Sequence, residues 1–288
     1  MTYLLTGVTG GLGNGILTVL SETVSHKDIS VLVRSKVKGE PFAAAGYDVR
    51  IGDYADEQSL VKAFSGIETL MFVSGAPGQT VSRDVQHKNV VEAAKQAGIK
   101  HLVYTSLANA EHSHSVLAPD HIVTESLIKS SGISYKILRN NWYLENETNI
   151  FKDALDGKGF VYAGGNGKVG WAVKKDYAKA AAHALMQPFT TNTTYELSGP
   201  LLTYADLHQA FETASGKRVD AISMTVEDYK AALTRAGLPE AVVGIVTAIQ
   251  ADIAAGELDV ASHDFETLLG HTPTPITQGI ADIISEIK

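Results

Sequence analysis

The sequence predicts an α/β fold: a doubly wound parallel sheet followed by a smaller, mainly helical C-terminal portion. Three observations predict it. Short, near-continuously apolar segments alternate with longer amphipathic stretches through the first half of the chain, the pattern of strands buried on both faces beneath helices. A strand, a glycine turn and a helix start are compressed into the first residues. After Asn140 the alternation gives way to clustered glycines and then to helical signals.

Tyr3–Thr6 is an apolar and β-branched run and reads as the first strand. Gly7, Gly10 and Gly13 follow at GxxGxxG spacing, with a helix expected over Leu12–Val24. Glycine carries no Cβ, so the turn can tighten and the chain can approach a pyrophosphate, whose oxygens then face the first amides of the helix. Further strands are expected at Ser30–Val33, Asp48–Ile51, Thr69–Val73, His101–Thr105 and Tyr135–Leu138, and helices at Glu57–Phe64, Val81–Ala97 and Asp120–Ser130. In the helix at 81–97, Val81, Val85, Val90, Ala93, Ala94 and Ala97 form the stripe expected to cover the sheet, and Gly98 ends it. Glycines then cluster at Gly157, Gly159, Gly164, Gly165 and Gly167. A strand is expected at Lys168–Val173, a helix at Asp176–Met186, a strand at Thr194–Leu197, and helices at Tyr204–Ala214, Glu227–Ala236 and Ala241–Gly256. The pattern is a Rossmann-type, dinucleotide-binding core over residues 1–140 and a substrate-side portion over 141–288, with residues 168–198 packing back onto the core.

The 288 residues, 44% apolar and 19% charged, suffice for a sizeable core. A net charge of −8 without a basic run argues against nucleic acid as the main partner. The absence of cysteine excludes disulfides, thiolate catalysis and cysteine-ligated metal. No stretch approaches the ~20 apolar residues of a membrane helix. With a strand expected by Tyr3, no signal peptide is expected. The expectation is a cytoplasmic protein, monomer or homodimer, acting on a small molecule.

The residue that reads the adenosine ribose sits at the end of the second strand, roughly 20 residues past the glycines. That position holds Arg34, 21 residues after Gly13. An acid there would accept from both ribose hydroxyls, whereas Arg34 offers a guanidinium fork to a 2′-phosphate, so NADPH is expected over NADH. Asp53, after the third strand, is placed either to accept from the adenine amino group or to form a turn.

The segments Thr6-Gly7-Val8-Thr9-Gly10-Gly11-Leu12-Gly13, Leu32-Val33-Arg34, Gly52-Asp53-Tyr54, Tyr104-Thr105-Ser106 and Leu138-Arg139-Asn140 with Trp142-Tyr143 together resemble the atypical short-chain dehydrogenase/reductases of the NmrA-like group. Within it, the chain is most similar to bacterial members that reduce quinones and triphenylmethane dyes. The resemblance extends through Gly167-Lys168, Asp176-Tyr177-Ala178, Ser215-Gly216-Lys217 and Leu268-Leu269-Gly270-His271. It implies an NADPH-binding Rossmann core with a substrate cleft against the C-terminal portion.

Ordinary short-chain dehydrogenases use a Tyr-x-x-x-Lys pair to move a proton at an alcohol oxygen. The corresponding slots here hold His121 and Glu125. His121 is a candidate proton donor whose pKa Glu125 is expected to raise. The departure speaks against alcohol chemistry and for a quinone or similar planar electrophile, which needs only a well-placed hydride donor in a dry pocket. Strand ends supply the remaining candidates: Val73, Ser74 and Gly75 after the fourth strand, Thr105 and Ser106 on the fifth, Asn140 and Tyr143 after the sixth. With Gly7, Thr9, Gly10, Gly11, Leu12, Gly13, Arg34, Asp53 and Tyr54 they make the expected cofactor site, and Asn140, Tyr143 and His121 the expected catalytic residues. Trp142 is expected to pack, and Glu145 and Glu147 to lie on a charged helix face. His112 and His114 sit in a polar loop without a further ligand, so no metal is expected. The functional expectation is an NADPH-dependent oxidoreductase. The alternative is an NADP(H)-binding redox-sensing regulator without significant catalysis. A sugar or phenylpropanoid-ether reductase or isomerase would require a side-chain acid or base.

Overall fold

The computed structural model describes residues 1–76 and 78–287. The chain runs β1 (Tyr3–Leu5), α1 (Gly11–Ser21), β2 (Ile29–Val33), α2 (Lys36–Ala44), β3 (Asp48–Ile51), α3 (Glu57–Phe64), β4 (Thr69–Phe72), α4 (Arg83–Gln96), β5 (His101–Leu107), α5 (Ala118–Ser130) and β6 (Ser134–Asn140). It continues through β7 (Trp142–Tyr143), α6 (Thr148–Leu155), β8 (Phe160–Tyr162), β9 (Trp171–Ala172), α7 (Lys174–Met186), β10 (Thr193–Leu197), α8 (Tyr204–Ser215), β11 (Ala221–Ser223), α9 (Val226–Arg235), α10 (Glu240–Ala254), α11 (Asp264–Leu269) and α12 (Ile276–Ile287).

Seven strands form one sheet in the order β3-β2-β1-β4-β5-β6-β10, and every pairing in it is parallel. The two-residue period of the strands sends neighbours to opposite faces. Leu4, Leu32, Leu70, Phe72, Leu102 and Tyr104 pack with residues of α3, α4 and α5. Leu5, Val31, Val33, Met71, Val103 and Leu138 pack with α1 and α7 on the other face. Helix α7 presents Ala178, Ala181 and Ala182, and a Cβ on Gly15 of α1 would come within 2.8 Å of Ala178 Cβ. Small residues thus let these two helices approach closely. A third core lies in the C-terminal portion, where Phe151, Phe160, Trp171, Tyr204 and Phe211 are fully buried. The loop after β5 ties the core to this portion, with Ser113 and Ser115 donating to Glu257 and Asp252 at 2.9 and 2.7 Å.

Beyond α6, β7, β8, β11, α11 and α12, which the sequence pattern does not mark, three elements differ from it in instructive ways. Helix α2 contains Gly39 and Pro41, both poor in a helix interior, and nothing in its periodicity announces it. The strand expected at Lys168–Val173 shortens to Trp171–Ala172, with a single antiparallel bridge from Val169 to Leu202. In α4 the expected apolar stripe holds only in the second half. Val85 is exposed, and the N-terminal turns bury Arg83, Gln86 and His87 instead. That end of the helix faces the polar crevice at the strand ends, where hydrogen-bonding groups are needed more than apolar area.

Candidate active site

The chain leaves β1 and β4, which are sheet neighbours, in opposite directions, so a crevice opens beyond their C-terminal ends. A cleft of about 430 Å³ occupies that crevice, within the ~300–1,000 Å³ of ligand sites. Its wall begins with the glycine turn. Gly7 takes a φ of +68°, the left-handed region, and its carbonyl accepts from the Gly10 amide at 2.9 Å. A Cβ on Gly13 would collide with that same carbonyl. No side chain caps α1 at Gly10, so the first-turn amides at Gly11, Leu12 and Gly13 remain donors for an anion. Thr9, Gly10, Gly11, Leu12 and Gly13 all line the cleft.

Two cations stand at one end. Arg34 follows β2, and Lys38 lies in the first turn of α2, where Ser35 Oγ accepts from the Lys38 amide at 3.4 Å. Among the described residues neither side chain has a carboxylate within salt-bridge distance. Lys38 is a site residue the sequence reasoning missed. Its signal was the Arg34-Ser35 start of a helix whose interior looked broken. Asp53 also lines the cleft, and its Oδ1 accepts from the Ala55 amide at 2.9 Å, so the turn occupies one of its two carboxylate oxygens.

The opposite end is built from part-buried hydrogen bonds. The Tyr54 hydroxyl lies 2.5 Å from Thr6 Oγ1 and 2.8 Å from the Val73 carbonyl, and the Val73 amide donates to Thr6 Oγ1 at 2.9 Å. The Ser74 amide donates to Thr105 Oγ1 at 2.9 Å, and the Gly75 amide to His87 Nε2 at 2.9 Å. Val73, Ser74, Gly75 and Tyr54 line the cleft, whereas Thr105 sits behind Ser74. Ala76, Gln79 and Gln86 join them without having been foreseen. Gln86 is held by a 2.7 Å bond to the Val81 carbonyl.

Tyr143 also lines the cleft. Asn140 Nδ2 donates to its hydroxyl at 3.0 Å, and Asn140 Oδ1 is buried without a partner. The Tyr143 proton is therefore free to point away from Asn140. Burial pushes the phenol up to about 12, so it is a neutral hydrogen-bond donor near pH 7, not a phenolate.

Several expectations require correction: Asn140, behind Tyr143, and Thr105, behind Ser74, are buried outside the cleft lining, and three further differences are larger. Ser106 does not reach the cleft: its hydroxyl donates to Glu125 at 2.7 Å, beside the 2.8 Å ion pair of Glu125 with Arg139. That pairing also removes Glu125 from His121, so the expected rise in the His121 pKa does not occur. His121 is buried against the Tyr104 hydroxyl at 2.8 Å. Burial first, and then the charge of Arg83, hold it well below its ordinary value. It is a neutral imidazole outside the cleft lining. Finally, Glu145 and Glu147 form no charged face. Glu145 accepts from the Lys174 amide at the start of α7 at 2.8 Å. Glu147 is buried beneath both tryptophans, Trp142 Nε1 at 3.0 Å and Trp171 Nε1 at 3.1 Å, with the Tyr204 hydroxyl at 3.2 Å. Burial raises its carboxyl to about 7.

The donor set can hold an elongated anion, with one phosphate at the uncapped helix start and another near Arg34 and Lys38. Among the described residues, no cluster of three or more acidic or imidazole groups is arranged to hold a metal, and no helix is long and apolar enough to cross a membrane.

Comparison with known proteins gives a consistent answer. Residues 2–261 match the model of the NmrA-like family. Quinone oxidoreductase 2 of Escherichia coli (strain K12) is 36% identical over 282 residues, covering 98% of each chain. The crystal structure of the NADPH-dependent quinone oxidoreductase of Escherichia coli in complex with NADPH superposes with a TM-score of 0.92 at 35% identity, covering 99% of this chain and 100% of that one. The triphenylmethane reductase of Citrobacter sp. superposes with a TM-score of 0.93 at 34% identity, with the same coverage.

Proposed function

This chain belongs to the NmrA-like family, and on that premise we propose that it is an NADPH-dependent oxidoreductase that delivers hydride to a quinone or a similar planar electrophile. The observation that carries the reading is a single cleft with free cations at one end and a neutral phenol at the other. Relatives named for quinone and triphenylmethane reduction, similar over nearly their whole length, support it.

NADPH, when bound, supplies hydride from its nicotinamide C4. The chain's own residues divide the remaining work. The turn at Gly7, Gly10 and Gly13 and the first amides of α1, with Thr9, Gly11 and Leu12 around them, hold the pyrophosphate. Arg34 and Lys38 hold the 2′-phosphate, and the second oxygen of Asp53 is available to the adenine. Tyr54 and Thr105 fix Val73 and Ser74, which with Gly75 form the wall on the nicotinamide side. Tyr143 donates a hydrogen bond to the acceptor oxygen as negative charge develops on it, and Asn140 sets the direction of that donation. The released hydroquinone anion takes its proton from water, so neither His121 nor a Tyr–Lys pair is needed. The proposed setting is the cytoplasm.

The test is direct. NADPH and a panel of benzo- and naphthoquinones are mixed with the protein and the loss of NADPH absorbance is followed. Oxidation well above background is expected. Tight NADPH binding with no oxidation across the panel would overturn the enzyme reading in favour of a redox-sensing regulator.

A further inference from the structure

The N-terminal turns of α4 bury polar side chains where a helix covering a sheet would ordinarily bury apolar ones, and one of them touches the cleft wall. His87 is fully buried, and its Nε2 accepts from the Gly75 amide at 2.9 Å. A nitrogen that accepts carries no proton, so the ring's proton sits on Nδ1. Nδ1 lies 2.8 Å from Thr124 Oγ1, which spends its own proton on the Asp120 carbonyl at 2.6 Å and so has lone pairs free to accept. Both ends of the imidazole therefore specify the same tautomer. Phe72 packs edge-on against the ring with centroids 5.0 Å apart. The charged and titratable groups that face it are Arg83 and Asp84 on its own helix, His121 on α5, and Tyr104 on β5, whose hydroxyl lies 3.4 Å from Nδ1. Burial first, and then the Arg83 charge, push it down to about 3, so it stays neutral across the working range.

We propose that His87 is a positioning residue for hydride transfer: its Nε2 anchors the Gly75 amide and so fixes the Ser74–Gly75 wall on the nicotinamide side of the cleft. Ser74 is anchored separately, on Thr105 of β5. Two consecutive amides of the wall are thus tied to two different elements, and loss of the His87 tie frees the one farther from the sheet. Displacements of about 1 Å at a hydride-transfer site reduce turnover on the order of a hundredfold. This inference rests on the NADPH reading of the cleft, and the experiment separates the two.

His87→Leu removes the acceptor, and His87→Gln supplies an amide oxygen in its place. With NADPH and a naphthoquinone, H87L is expected to lower kcat roughly 10- to 100-fold, and H87Q to recover part of that loss. Affinity for adenosine 2′,5′-bisphosphate, which carries only the adenosine half of the cofactor, is expected to change less than about twofold in H87L. In the unsubstituted protein, nitrogen-15 NMR at neutral pH is expected to show Nε2 unprotonated and Nδ1 protonated. A protonated Nε2, an unchanged kcat in H87L, or equal losses of kcat and bisphosphate affinity would each overturn the positioning role. Failure of the unsubstituted protein to bind the bisphosphate would instead overturn the NADPH reading beneath it. The NMR measurement decides the tautomer even if H87L does not fold.

Discussion

The two ends of the cleft are built by different physics. At the adenosine end, Arg34 and Lys38 are exposed side chains without carboxylate partners among the described residues. They act through charge, and water and salt screen them. At the nicotinamide end, Thr6, Tyr54, Ser74, Thr105, Gly75 and His87 are locked to one another by hydrogen bonds of 2.5–2.9 Å. They act through shape, and little of their effect passes through net charge. The first end selects which cofactor binds, and the second decides how well a bound cofactor reacts.

The largest expected effect removes the feature both ends share. Gly13→Ala places a methyl group against the Gly7 carbonyl, and neither partner is a flexible side chain. A loss on the order of 3 kcal/mol is expected, in stability or in NADPH affinity, measured by thermal unfolding and by fluorescence titration. A variant that binds NADPH normally would show that the turn has room the structure denies.

The next effect belongs to the core of the C-terminal portion, beneath the indole that neighbours Tyr143. The Glu147 carboxyl is raised from its ordinary 4.5 to about 7 by burial. Its folded-state pKa is above the unfolded one, so the native state binds more protons between those values and stability falls as pH rises through them. Roughly 3 kcal/mol is lost between pH 4.5 and pH 7 from this group. Glu147→Gln keeps an acceptor for both indoles and removes the titration, so its unfolding free energy should be flatter over that window and exceed the parent's above it. Parallel pH profiles for the two proteins would sink the assignment.

Tyr143→Phe tests the chemical end alone. A fall in kcat of about 10- to 100-fold is expected with the KM for NADPH nearly unchanged. Equal changes in both would make Tyr143 a wall and not a donor. Smallest is the charge end. Arg34→Ala should weaken NADPH by about tenfold and NADH by little, and Lys38→Ala by about threefold. Both losses should shrink as salt is raised, whereas the Tyr143→Phe loss should not. A salt-dependent Tyr143 effect would erase the contrast between the ends.

The contrast also explains what the sequence disclosed. The glycine turn and Arg34 are local: their meaning lies in spacing along one strand–turn–helix unit, and so they were readable. Helix α2 was not, because Gly39 and Pro41 argue against it. It forms because Gly39 is where the helix meets β3, a Cβ there coming within 2.6 Å of Val49 Cγ1. Hidden with it was Lys38. His87 and Glu147 were equally unreadable, since their partners lie on other elements: Gly75 and Thr124 for one, Trp171 and Tyr204 for the other. The polar residues of α4 broke an apolar stripe that the sequence suggested would continue through Val85. Asn140 and Tyr143, by contrast, are three residues apart across a strand end, and the 3.0 Å bond between them is local enough to anticipate.

Both indoles of the chain end on one carboxylate oxygen, next to the residue that bears the phenol of the cleft. The intrinsic tryptophan emission of this protein therefore originates from a single locus. Its intensity should titrate with Glu147 and should be quenched when a reduced nicotinamide, whose absorption overlaps that emission, enters the adjoining cleft. A label-free optical probe is already built into the seam between the two portions of the molecule.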